Sequence, residues 1–297
     1  MDGFFQRAFA KEPAPACRFC HAPEAASQSP KSADLAVGVG CAACHVRNGA
    51  VLAAPFAGAD VPAAPHALLR TAAVESASFC AGCHEFGFLA LPKNGHQRFE
   101  SHNLQQSTWT EWLASAPGQQ GTTCQNCHMP AITRPNGEAG RDHRMLGRQP
   151  EMLAGAAAVA VKLIQNQRKL RFQVEITAQH TGHALPTGDQ FRRMDWLLFS
   201  PTGKLAAIVH LGRTWRVVQL RDAVEGLAVA KQLKEDQRIP PPGQGTRKFE
   251  IGVPGQPGTW RWQLQHVRAI GLPAAGLVAC RHGDACVAMV IGEIEVK

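Results

Sequence analysis

From about Ala156 onward the chain alternates between apolar and polar or small positions. Val159, Val161 and Leu163 occupy every second place, and Leu170, Phe172, Val174 and Ile176 do so again after a turn near Asn166. Successive side chains of an extended chain point to opposite faces, so a period of two predicts half-buried β-strands. Arg193 to Phe199, Leu205 to Leu211, Leu227 to Leu233, Lys248 to Val253, Thr259 to Val267 and Cys286 to Val296 read the same way. Pro201-Thr202-Gly203, Pro240-Pro241-Pro242-Gly243 and Pro254-Gly255 punctuate them. Short strands at this spacing predict an antiparallel β-sandwich over residues 156–297.

Before Gly155 the pattern is different. Pro13, Pro15, Pro23 and Pro30 break any long helix, and residues 1–40 read as wrapping loop. His66 to Cys83 holds good helix formers and few breakers, which predicts a helix. Thr108-x-x-Glu111 matches a capping box opening a helix over Trp109 to Ala116, and Pro117-Gly118 should stop it. Short helices and loops are therefore expected over residues 1–155, and the fold class expected for the whole chain is α+β.

Composition alters the meaning of the first half. Hydrophobic residues make up 45% of the chain, yet before Gly155 many are alanines, and proline and glycine are common, so side chains alone would form a poor core. Something else must fill it, as metals and disulfides do in other core-poor scaffolds. The repeated chemistry supplies a candidate. Cys-x-x-Cys-His occurs four times, as Cys17, Cys20 and His21; Cys41, Cys44 and His45; Cys80, Cys83 and His84; and Cys124, Cys127 and His128. Two thiols can add across the vinyl groups of a haem, and the histidine after the second thiol can ligate its iron from one face, which is the c-type attachment pattern. Structural zinc also uses paired cysteines, but has no use for a histidine directly after every pair. Four haem c groups are expected, with the first half folding around them.

The first 155 residues carry 12 basic and 12 acidic side chains, so the formal excess of +8 falls wholly in the remainder. Eight haem propionates would face that basic half. No aromatic-interleaved basic stripe is present, so nucleic acid is not an expected partner. No apolar run approaches the length of a membrane helix. Thioether attachment takes place outside the bacterial cytoplasm, so the expected location is the periplasm or cell surface, although Met1 to Ala10 contains no export signal. Cys280 and Cys286 read as a local disulfide.

The irons need second ligands. His66, His143 and His183 each lie in or beside a loop, from which imidazole can reach an iron, and are the expected distal ligands. His180 competes with His183, while His96 and His102 are weaker candidates for the fourth place. His210, His266 and His282 read as structural. Bis-histidine ligation implies low potentials relative to His/Met.

The four motifs, Ala64-Pro65-His66, the Cys-x-x-Cys-His-Met-Pro run ending at Pro130 with Asp142-His143 after it, and Gly182-His183-x-x-Pro-Thr-Gly188 together resemble the multihaem cytochromes c. The similarity is to tetrahaem electron carriers related to the hydroxylamine oxidoreductase and nitrite reductase superfamily, in a branch with a C-terminal β-domain. That resemblance implies that His66, His143 and His183 are distal ligands and that the β-domain lends His183 to the haem array. No motif ends in Lys, as the nitrite reductase catalytic haem does, and the absence of Tyr removes the hydroxylamine oxidoreductase cross-link. The expected role is electron transfer between redox proteins, not catalysis. The alternatives are a redox enzyme with one open haem, or a subunit of a homo-oligomer or extracellular filament.

Overall fold

The computed structural model describes residues 19–25, 37–55, 64–93, 96–145, 147, 149–166, 168–217, 231–267 and 286–297; side chains are described within these ranges except at 89–100 and 166. The first half combines short helices with small sheets. Helix α1 (Cys41–His45) leads into β1 (Val46–Arg47) and β2 (Ala50–Ala53), which pairs in parallel with β3 (Leu68–Arg70). A 3-10 turn at Ala72–Glu75 precedes α2 (Ser78–His84). The expected continuous helix from His66 to Cys83 is thus three pieces, because sheet pairing takes Leu68–Arg70 and Thr71, extended at φ −150°, caps the turn. Local propensity yields here to tertiary pairing.

A second departure is the long hairpin of β4 (Glu85–Lys93) and β5 (His96–Ser107), where loop was expected. Helix α3 (Thr108–Leu113) follows, then α4 (Ala116–Gln119), α5 (Cys124–His128), the short pair β6 (Ala131–Thr133) and β7 (Ala139–Arg141), and α6 (Pro150–Ala154). Pro117-Gly118 does not simply stop a helix. It lies in the first turn of α4, where proline is tolerated, and the Ser115 hydroxyl accepts from Gly118 N–H at 3.2 Å.

The second half follows its alternation closely. Strands β8 (Ala157–Asn166), β9 (Lys169–Ala178), β10 (Arg193–Phe199), β11 (Leu205–Val217), β12 (Lys231–Asp236), β13 (Arg247–Pro254), β14 (Gly258–Val267) and β15 (Cys286–Val296) form two antiparallel sheets. One has the order β12-β11-β10-β14-β15 and the other β13-β9-β8. Of the strand expected at Leu227 to Leu233, Lys231 to Leu233 lie in β12, which runs on to Asp236 paired with β11; residues 218–230 lie outside the described set.

Leu170, Phe172, Val174 and Ile176 are wholly buried along one face of β9 and share a core with Met194, Trp196 and Leu198 of β10 and Trp260 and Leu264 of β14. Rings from both sheets meet in it, with Phe172 and Trp260 centroids 5.6 Å apart and Trp196 and Phe249 at 5.5 Å. Gly292 pairs with Trp262 across β14 and β15, and a Cβ there would come within 2.1 Å of the indole. Gly292→Ala should therefore overpack the sheet and cost about 1–3 kcal/mol, read as a lower urea midpoint with an unchanged slope.

The β4–β5 hairpin meets the β11–β12 edge. Phe88 packs edge-on against Trp215 with centroids 5.0 Å apart, Asn103 donates to the Lys231 carbonyl, and Arg213 Nη2 donates to the carbonyls of Gln105 (2.7 Å) and Gly188 (2.6 Å). Burial lowers Arg213 to about 10 despite those bonds. These contacts bring the 180–188 loop over the first half.

Candidate haem-binding centre

Each of the second, third and fourth motifs ends a helical turn at its histidine, and the described part of the first, Cys20–His21, is helical too. A Cys-x-x-Cys spacing on a helix sets both thiols on one face, one turn apart. The chain then turns extended directly after His45 and His84. At the fourth motif Asn126 Oδ1 accepts from the Thr123 N–H (2.8 Å) and hydroxyl (2.7 Å), fixing where the turn begins. Cys17 lies outside the described residues.

The motifs pack against one another. A hydrogen bond from Cys20 lowers Cys83 to about 6, and one between Cys80 and Cys124 lowers Cys124 to about 7 while raising Cys80. Burial raises the Cys44 and Cys127 thiols. Gln125 Nε2 donates to the carbonyls of Val74 (3.0 Å) and Ser76 (2.8 Å), tying the fourth motif to the turn before the third. Cys286 is disulfide-bonded, while Cys20, Cys41, Cys44, Cys80, Cys83, Cys124 and Cys127 carry no disulfide. Cys280, its expected partner, lies outside the described residues.

Two motif histidines face two of the expected distal ligands. The rings of His45 and His143 have centroids 6.1 Å apart at 36°, and those of His128 and His183 are 6.1 Å apart at 12°. Imidazoles bound to one metal from opposite sides through Nε2, with metal–nitrogen bonds of roughly 2 Å, would have centroids roughly 6 Å apart. Tautomer agrees with distance. His45 Nδ1 lies 2.8 Å from the Leu52 carbonyl, His143 Nδ1 2.8 Å from that of Arg141, and His183 Nδ1 3.1 Å from that of Ala184. A nitrogen facing a carbonyl must donate, which leaves Nε2 of a neutral ring bare and able to bind a metal. Burial lowers His128 to about 4 and also lowers His183 and His84, so these rings are neutral at pH 7. His84 reaches open space, yet the protein around it is dense enough for desolvation to dominate.

The donor set fits haem. Among the described residues no three His, Cys, Asp or Glu side chains converge as a bare zinc would need. Pairs of imidazoles at this spacing would instead fit an iron held between them, as in a haem. A cavity of about 630 Å³ between the first and third motifs, lined by Phe19, Cys20, Gly82, Phe86 and Leu104 among others, has the volume of a cofactor site.

The remaining histidines divide. His66 is exposed before β3, and neither pair includes it. His180, at φ +51°, is exposed, so of the two competing residues His183 is the one facing His128. His102 is exposed on β5; the His96 side chain and His282 lie outside the described residues. His210 is held by buried Asp195 at 2.6 Å, a structural role. His84 Nδ1 lies 3.1 Å from the Gln106 amide, which also reaches Thr108 Oγ1 at 3.1 Å; Thr108 in turn meets Thr187 at 2.8 Å. The sequence shows Thr108 and Glu111 only as a capping box and gives no sign of this polar chain.

The His183 loop is seated on α3 and α4. A Cβ on Gly182 would lie 3.2 Å from the Trp112 ring and 3.5 Å from Ser115 Oγ, so backbone approaches closely there. Glu111 accepts from the Ala184 N–H (3.2 Å), Thr187 Oγ1 (3.0 Å) and Arg238 Nη1 (2.6 Å).

No family model matches the sequence, and no curated protein does either. A penta-haem cytochrome c552 from Thermochromatium tepidum overlays with a TM-score of 0.64 and 18% identity, covering 99% of this chain and 90% of that one. An ApaA protein from Bordetella pertussis gives a TM-score of 0.18 and 11% identity over 48% of this chain and 86% of its own, which carries no argument. The chain therefore has a multihaem-cytochrome-like fold.

Proposed function

We propose that the protein is a c-type cytochrome that relays electrons between redox partners through four covalently bound, mostly bis-histidine haems. The observation that carries this reading is the pair of 6.1 Å imidazole oppositions, each joining a motif histidine to a loop histidine expected to complete its iron. The haems, when bound, supply the one-electron iron couple. The chain's residues anchor and orient them: Cys17, Cys20, Cys41, Cys44, Cys80, Cys83, Cys124 and Cys127 form thioethers, and His21, His45, His84 and His128 ligate from one side. His143 completes the site of His45 and His183 that of His128; His66 serves one of the other two. The layout is a haem-packed half over residues 1–155 and a β-sandwich over residues 156–297. Thioether chemistry and a disulfide at Cys286 support a periplasmic or cell-surface location, and no described helix is long and apolar enough to cross a membrane.

Reduced protein should exchange electrons with a second cytochrome rapidly, with a rate that falls steeply as salt rises, because the basic half steers acidic encounters. Stopped-flow mixing at several ionic strengths measures this. Saturable turnover of nitrite, hydroxylamine or peroxide at about 10 per second or more would establish the enzyme reading instead.

A further inference from the structure

The geometry points to Glu111 as the positioning residue that seats His183 for ligation; this rests on the reading of His183 as an iron ligand. Glu111 matches the capping pattern Thr108-x-x-Glu111, yet the N-cap of α3 is Ser107, without a side-chain cap hydrogen bond, and both side chains turn to the 183–187 loop. Thr108 meets Thr187 at 2.8 Å. The Glu111 side chain is only 12% exposed, and its carboxylate accepts four hydrogen bonds. Ser107 (2.7 Å) is local, whereas Ala184 N–H, Thr187 Oγ1 and Arg238 Nη1 come from the second half, 73, 76 and 127 residues away.

Two of these, Ala184 and Thr187, follow His183 in its loop, and Ala184 is its immediate neighbour. Ala184 is held at both ends, its N–H donating to Glu111 and its carbonyl accepting from His183 Nδ1 at 3.1 Å. That carbonyl fixes which nitrogen of His183 is bare and where the ring plane lies. Glu111 thus sets the carbonyl that sets the ring. Arg238, buried and shared with Asp236 at 2.7 Å, balances the carboxylate and closes the seat from behind.

Reach and charge are separable by two conservative substitutions in the haem-loaded protein. Glu111→Asp keeps the charge facing Arg238 but retracts the carboxylate from Ala184; Glu111→Gln keeps an oxygen at full reach and removes the charge. If Glu111 positions His183, Glu111→Asp converts one of the four haems to a partly high-spin, carbon-monoxide-binding state with haem content and near-ultraviolet dichroism unchanged. Glu111→Gln stays low-spin. In a His183→Ala background Glu111→Asp adds no further change, since both act on one site. All-low-spin Glu111→Asp protein, or a spin change in Glu111→Gln alone, overturns the inference. Should His183→Ala itself leave every iron low-spin, the ligand assignment fails, an outcome distinct from failure of the positioning role.

Discussion

His183→Ala in the haem-loaded protein should turn one low-spin iron high-spin and open it to carbon monoxide, and His143→Ala should do the same to a different haem. The expected effect is complete loss of a sixth ligand at one site. Among the described residues, His180 is exposed, at φ +51°, and Arg141 and Ala184, next to the two rings, offer carbonyls already occupied by Nδ1. The double variant should show two open irons, additively, because the sites use different motifs. His266→Ala, on β14, should leave every iron low-spin. Visible absorption with and without carbon monoxide reads all four proteins. Unchanged spectra in both single variants would mean that the 6.1 Å oppositions are ordinary ring contacts.

The second half was legible because burial in a sheet enforces period two. Leu170, Phe172, Val174 and Ile176 are wholly buried as the alternation requires, and Arg193–Phe199 and Cys286–Val296 have their expected ends. The first half was less so, since its elements answer to partners far along the chain. Leu68–Arg70 has helical company on one side and became a strand because β2 lies beside it. The β4–β5 hairpin left a signal: Lys93 pairs with His96, and the residues between are Asn94-Gly95, the pair that two-residue hairpin turns favour. His96 to Ser107 is too polar to have shown alternation. Motif cysteines and histidines were legible because attachment chemistry fixes their spacing. His143 and His183 could be chosen as loop histidines, but which motif each faces depends on the fold. Glu111 was visible only as a local cap, because its decisive partners lie more than 70 residues away.

The second large effect concerns the haems themselves. Before Gly155, the described buried apolar side chains larger than alanine are Leu52, Phe88 and Leu153. Full burial of such a side chain stabilises by about 1.5–3 kcal/mol, whereas ordering each residue's backbone costs about 1–2 kcal/mol. So few would not by themselves hold the described residues of this half, and the proposed haems would supply the missing apolar contact. Protein made without thioether attachment should therefore lose protected amides across residues 1–155 while the strands from Ala157 onward keep theirs. Hydrogen exchange resolves the two halves. Equal protection in both would show that the first half folds on its own side chains.

The most direct test is the intact mass of the denatured, fully matured protein, with haem retained on a denaturing gel. The account predicts the polypeptide mass plus four haems, none extracted by acid acetone. A bare polypeptide mass, fewer than four haem increments, or colour that leaves with the solvent would contradict it.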